Sequence, residues 1–456
     1  MTISRQGLSR STSVKLFVIA LLILILLIPM SMIRGVINER KSIGAAAQRD
    51  IMNAWGKDQV VSGPILMLPY KERPILMYGE SREVEKVVYV LPDTLNIDAA
   101  VEPDIRYRGL HEVPVYSATL RFDGVFGDLG LDELGVDATA VDWRKASLVV
   151  VVSDPGAITA TPEINVDGQT ARFGPAAAPI SGFGPQISTA MPVTSDGGPV
   201  DSDLGFEMVI ELNGTSSLHF LPLGDTTSVD MRSSWASPSF SGASLPEERE
   251  IGEDGFAATW RIASLGRQLP SQWIRGTVEH GLELQSAFGV SLYMPVGIYQ
   301  LSTRATKYAI LFVGLTFVTY FLFEVLAKLR LHPLQYLLVG LANTLFYLLL
   351  LSLAEHVRFG WAYVVSAFVS CALISAYSAS VLRAPRRALW IAAALSGLYG
   401  FLYMTLRAET YALLAGAVGL WSILAIIMYL TRHVDWYEFH EIDAAPDGSP
   451  QGLQDR

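Results

Sequence analysis

Apolar positions in this chain gather in one uncharged stretch, Leu16 to Ile33, and in the sequence after Tyr308. Lys15 and Arg34 bracket the first stretch, whose 18 residues at about 1.5 Å rise come close to the ~30 Å hydrocarbon layer of a bilayer. Five further runs, about 308–327, 336–354, 360–381, 388–406 and 411–430, have the length of spanning helices. The first run competes with a cleavable signal peptide. The first small-residue string, Ala45 to Ala47, lies beyond Arg40 and Lys41, which favours an uncleaved anchor. The segment from Ile37 to Trp55 reads as helix and continues from the first span.

From about Val60 to Tyr299 the period changes from helical to short and alternating. Val87–Leu91, Val113–Leu120 and Ser147–Val152 are rich in β-branched and aromatic residues and are expected as strands. Turn signals stand between such runs: Pro92-Asp93, Asp123-Gly124, Asp154-Pro155-Gly156, Asp167-Gly168, Asn213-Gly214, Leu223-Gly224-Asp225 and Glu253-Asp254-Gly255. Asn213-Gly214-Thr215 matches a glycosylation sequon, but Asn-Gly between strands is more simply a tight hairpin. A Gly-, Pro- and Ala-rich loop, roughly Gly174 to Asp203, is expected to divide the region into an earlier and a later half. The fold class is therefore an α+β membrane protein. It combines a large extracytoplasmic β-sandwich-like domain, of one or two β-modules, with a six-helix transmembrane part arranged as one helix and then five.

Charge orients the spans. Arg5, Arg10 and Lys15, then Lys328 and Arg330, then Arg383, Arg386 and Arg387 fall on one side, as cytoplasmic loops should. The opposite short loops hold only Glu355/Arg358 and Arg407/Glu409. Arg304 and Lys307 run against this bias, but they close a long translocated segment where charge has less influence. Trp361, Trp390, Tyr411 and the pair Trp436/Tyr437 stand near expected helix ends, where amphipathic rings favour the headgroup level. The expected organisation is a cytoplasmic N-terminus (1–15), a signal anchor (16–33), a periplasmic β-rich domain (34–303), a five-helix bundle (304–431) and an acidic cytoplasmic tail (432–456).

Composition agrees with a membrane protein: 51% of residues are hydrophobic and only 17% charged, against about a quarter charged in an average soluble chain. A net charge of -10 without a basic patch argues against nucleic acid. The one cysteine, Cys371, sits inside an apolar run, so the polar domain must be held by its own core.

Candidate chemistry is sparse. Trp235, Phe240, Phe256, Trp260 and Trp273 could form a stacking platform for sugar or peptide, but such residues more often fill a core. His111, His219 and His280 have no metal-ligand spacing, and no cofactor or metal is expected. No G-x-S-x-G is present, so no catalytic residue is assigned. Glu324 is an expensive carboxylate within a span and a default functional candidate, although Lys328 one turn on could pair with it. Asn343 could bond across helices, and Glu355 with His356 could form an interfacial pair. Ser366/Ser370 and Ala367/Cys371/Ser375 place small side chains on adjoining stripes suited to close helix packing.

Several stretches resemble the CreD family of bacterial inner-membrane proteins: the run from His332-Pro333-Leu334-Gln335-Tyr336 to Glu355-His356, Trp235–Gly242, Gly255–Trp260, Arg304–Ala309 and Tyr107–Tyr116. Pro295-Val296-Gly297 departs from the expected Pro-Val-Asp, which weakens any role assigned to a carboxylate there. The resemblance implies a multi-pass inner-membrane protein of the envelope-stress response, linked to envelope integrity and a two-component regulon, with no established catalytic residue. The function expected is support of envelope integrity without enzymatic activity, by binding an envelope glycan, lipid or protein through the periplasmic domain. The alternative is a small transporter or lipid-handling channel using the bundle and Glu324. A membrane-bound enzyme ranks behind both. The only other partner expected is the lipid bilayer.

Overall fold

A computed structural model describes residues 12–72, 83–192, 203–267, 269–278, 283–292, 294, 297–326, 331–382, 385–408 and 411–432. Arg5, Arg10, His280, Lys328, Arg330, Arg383, Glu409, the Trp436/Tyr437 pair and the acidic tail beyond 432 lie outside these residues. The chain divides into a helical unit, residues 1–43 and 296–456, and a β unit, residues 44–295.

Among the described residues, seven α-helices run in chain order: α1 Thr12–Trp55, α2 Ile298–Lys307, α3 Ala309–Leu326, α4 Pro333–Ala354, α5 Phe359–Leu382, α6 Pro385–Arg407 and α7 Ala412–Thr431. Among the described residues, six of these are long and apolar enough to cross a membrane, all but α2. α1 is one 44-residue helix through Pro29, so the first apolar run does continue into the helical segment ending at Trp55. The sequence reading missed α2. Its buried face is Ser302, Ala305 and Thr306, and a search for long uncharged runs passes over so short an amphipathic helix.

In the helical unit, Gly340 marks the tightest approach. A Cβ there would stand 2.2 Å from Leu26 Cδ1 and 2.9 Å from Phe317 Cζ, so a larger residue would force these side chains of α1 and α3 to shift. Along α5, Ser366 and Ser370 are buried, and Cys371 Sγ lies 3.6 Å from Ser396 Oγ on α6. The small-residue stripe is thus a packing surface.

Among the described residues the β unit holds three sheets, of eight, six and four strands, around one continuous apolar core. Alternation builds the largest sheet: in Thr94–Arg108 the side chains of Leu95, Ile97, Ala99 and Val101 are buried while their neighbours face out. Pairing ignores the expected division into halves. Gln59–Ser62 runs parallel to Ser217–Leu221, Thr94–Val101 runs parallel to Thr226–Ser233, and Trp273 pairs with Tyr89. The Gly/Pro/Ala-rich segment is not a divider either, because its Gln186–Ala190 is a strand paired antiparallel with Ser147–Val151. A buried arginine ties loops together. Arg267 is 2% exposed, donates to the carbonyls of Leu269 (2.9 Å) and Leu223 (3.1 Å), and forms an ion pair with Asp225 at 2.5 Å.

Two expected turns lie inside strands. Asp123-Gly124 belongs to His111–Phe126, and Asn213-Gly214 to Leu204–Thr215, where Gly214 pairs with Tyr116. The chain turns only at Ser216, whose φ is 63°. Gly214 is present for close approach: a Cβ would sit 2.3 Å from the Tyr116 hydroxyl, which is buried and donates to the Ser217 carbonyl at 2.7 Å. The turns at Asp167-Gly168 and Glu253-Asp254-Gly255 do close hairpins.

His219 gives this unit an acid sensitivity. It lies in Ser217–Leu221 with Nε2 3.1 Å from Ser241 Oγ, and burial lowers its pKa below the ordinary 6.5. The unfolded chain takes up this proton first, so the stabilisation is complete above about pH 6.5 and declines as pH falls toward the folded value. Thermal unfolding of the full-length protein across pH 5–7 is expected to show a Tm decline that His219→Gln flattens.

Candidate functional site: buried polar couples along α4

The start of α4 is specified by consecutive residues. His332 is the N-cap, its Nδ1 accepting from the Leu334 N–H at 3.2 Å, while Gln335 Oε1 accepts from the His332 N–H at 3.1 Å. Pro333 opens the first turn, where its missing N–H costs nothing. This fixed start sets the next residue, Tyr336, against Glu324 near the end of α3.

Glu324 is 5% exposed and fully engaged. Tyr336 Oη donates to Oε2 at 2.9 Å, the Leu331 N–H donates to Oε1 at 3.1 Å, and Lys15 Nζ on α1 donates to Oε1 at 2.5 Å. Phe317 and Tyr320 pack on the Tyr336 ring, with centroids 5.6 and 6.2 Å away. The Tyr320 hydroxyl in turn bonds Ser378 on α5. The carboxylate therefore joins α1, α3 and α4 through a cation 309 residues away, and Lys328, the expected partner, lies outside the described residues.

Two further couples lie on the same helix. In its middle, Asn343 is fully buried and accepts from Tyr399 Oη of α6 at 3.2 Å, while its Nδ2 and the Tyr347 hydroxyl find no hydrogen-bond partner among the described residues. Phe346 and Phe312 pack on the Tyr399 ring at 4.8 and 4.6 Å. At the far end Glu355 caps α4, accepting from Tyr299 Oη of α2 at 3.3 Å, with Arg40 Nε of α1 at 3.6 Å. From Tyr336 to Glu355 is roughly 28 Å of helix axis. Tyr336 and Asn343 thus share one buried face of α4, and Glu355 at its C-cap lies about a third of a turn round from them. His356 stands apart, exposed, with Nδ1 3.0 Å from the Ser352 carbonyl.

The tryptophans do not assemble a site. Trp260 is buried among Phe240 and Phe288, at 5.7 and 5.8 Å, and Trp273 is buried against Tyr89 at 5.2 Å in a different sheet. Trp235 is half-buried, its Nε1 donating to the Ser237 carbonyl at 3.1 Å. Sequence reasoning missed Lys15, Arg40, Tyr299, Tyr336 and Tyr399 as partners. Lys15 carried a signal, since it borders the first apolar stretch, whereas Arg40 stands among Asn38, Glu39 and Lys41 and carried none. The tyrosines carried none beyond ordinary span composition.

Six apolar helices, a three-sheet β unit and a polar-studded fourth helix define a multi-pass α+β membrane protein. The profile of the family described as "Inner membrane protein CreD" matches residues 11–437. The inner membrane protein CreD of Escherichia coli (strain K12) is 33% identical over 421 residues, covering 91% of this chain and 92% of that protein. The chain belongs to the CreD family of inner membrane proteins. Among solved structures, a mutant M1 zinc metallopeptidase from Deinococcus radiodurans bound to a Tyr-Ser-Ala substrate aligns with 41% of this chain and 42% of its own. It does so at 10% identity and a TM-score of 0.20, too low to bear on fold or chemistry.

Proposed function

We propose that the protein supports cell-envelope integrity as a non-enzymatic binding protein, with both termini in the cytoplasm and the β unit outside it. The orientation rests on the cationic short loops. The binding role rests on one observation: the strands Thr94–Arg108 and His111–Phe126 continue past their sheet neighbours as a two-stranded arm. At the arm's tip Tyr107 and Leu110 are 66% and 61% exposed. Exposed apolar groups on a projecting hairpin are costly to leave in water and suit a partner from the envelope. The arm is braced within the β unit, with Arg106 stacked 4.5 Å from the Trp55 ring and Arg108 paired with Asp50 at 3.2 Å. That bracing limits the entropy lost on binding.

A photo-crosslinking residue at Tyr107 or Leu110 in living cells is expected to give discrete adducts, and one at Thr119, within the sheet, none. The paired variant Tyr107→Ser/Leu110→Ser should weaken resistance to envelope stress without lowering protein level. Adduct-free tips together with unchanged resistance would end the binding reading. The alternative of a transport path through the bundle draws less support, because both oxygens of Glu324 are already occupied.

A further inference from the structure

An open cleft of about 250 Å³ in the helical unit is lined by Arg34, Ile37 and Asn38 of α1 and by Thr303, Thr306 and Lys307 of α2. Its cations are arranged unequally. Arg34 Nη2 donates to the Thr306 carbonyl at 2.9 Å, which fixes the guanidinium and leaves its other N–H groups for a ligand. Lys307 is exposed, with no ion pair recorded for its ammonium among the described residues. The two threonine hydroxyls donate to backbone carbonyls within α2, Thr303 to Tyr299 and Thr306 to Thr303. Donation into the cleft therefore falls to Arg34, Lys307 and Asn38.

Position narrows the ligand. Arg34 directly follows the uncharged run Leu16–Ile33, and Lys307 precedes the spanning helix α3 by two residues, so both cations stand where a span leaves the hydrocarbon. Met32, Val36 and Ile310 are exposed apolar groups flanking the same level, at 68%, 37% and 44%. A fixed guanidinium and an ammonium over exposed aliphatic side chains match an anionic oxygen group attached to acyl chains. Arg304 and Lys307 also oppose the charge bias of the short loops, and a ligand at this level gives such cations a reason to be there.

We propose that this cleft binds the phosphate of an anionic phospholipid headgroup. Arg34 and Lys307 neutralise the phosphate and Asn38 supplies a neutral donor beside it. The proposal is independent of the hairpin-tip partner, since it concerns lipid at the spans and can fail or hold alone.

The test uses the full-length protein released from detergent in native mass spectrometry, with phosphatidylglycerol or phosphatidylcholine added, and inorganic phosphate as a separate arm. Wild type is expected to retain phosphatidylglycerol in preference to phosphatidylcholine. Each cation near a lipid surface accounts for roughly fivefold in affinity. Lys307→Gln, which breaks no bond recorded in the structure, should lower retention about fivefold, and Arg34→Gln/Lys307→Gln further. Thermal unfolding of each variant in detergent confirms that it is folded. Equal retention of both lipids, or phosphatidylglycerol retention unchanged in folded Lys307→Gln, would overturn the proposal. Displacement of the lipid by millimolar inorganic phosphate would overturn the lipid assignment in favour of a free anion.

Discussion

Lys15→Ala is expected to destabilise the helical unit by about 3 kcal/mol, and Glu324→Gln by no more than about half of that. The asymmetry follows from exposure. The Lys15 side chain is 34% exposed and the Glu324 side chain 6%. A lysine without its carboxylate can extend toward the headgroups, where water and lipid phosphate receive it. A carboxylate without its lysine has no such escape, since Glu324 is held by Tyr336 and the Leu331 N–H inside the bundle. Thermal unfolding in lipid nanodiscs should rank the variants wild type, Glu324→Gln, Lys15→Ala, with the double variant Lys15→Ala/Glu324→Gln recovering toward Glu324→Gln. Additive losses in that double variant would mean the two groups are not coupled. If Glu324→Gln is as stable as wild type yet loses resistance to envelope stress, the carboxylate acts beyond packing and the transport alternative regains its residue.

The spans were legible because lipid imposes one rule, a long uncharged run, that needs no tertiary information. Glu324 was legible for the same reason, as a charge where the rule forbids one. Its partner was not, because Lys15 is 309 residues away and sequence offers only the neighbour at i+4. In the β unit, short β-branched runs gave individual strands such as Ser147–Val151, but pairing depends on which faces meet. Parallel partners as far apart as Gln59 and Leu218 leave no local trace. Asn213-Gly214 shows the other limit. The dipeptide has turn chemistry, yet its glycine answers to the bulk of Tyr116 across the ladder. The loop-like composition of Gly174–Asp203 misled in the same way, since Gln186–Ala190 is held by pairing with Ser147–Val151 on one side and Gly174-Pro175 on the other and not by apolar alternation.

Trp260→Ala is expected to cost about 3–5 kcal/mol, enough to leave the β unit largely unfolded or degraded, whereas Trp235→Ala should cost less than about 1 kcal/mol. Trp260 is 1% exposed and its indole is enclosed by Phe240 and Phe288, so truncation opens a cavity that the flanking strands are too tightly paired to close. Trp235 is half-buried beside a loop and can be replaced by water. Trp260→Phe separates a core role from a stacking role. The Trp260 N–H has no hydrogen-bond partner among the described residues, so removing it relieves a desolvated donor and offsets part of the lost volume. A core predicts near-native stability and full resistance to envelope stress for Trp260→Phe. A ligand platform predicts a folded protein that has lost its function. Limited proteolysis of membranes carrying each variant reads the first quantity, and survival under envelope stress reads the second. Loss of resistance in a protease-resistant Trp260→Phe protein would return the aromatic cluster to the list of candidate binding sites and move the search for the envelope partner away from Tyr107 and Leu110.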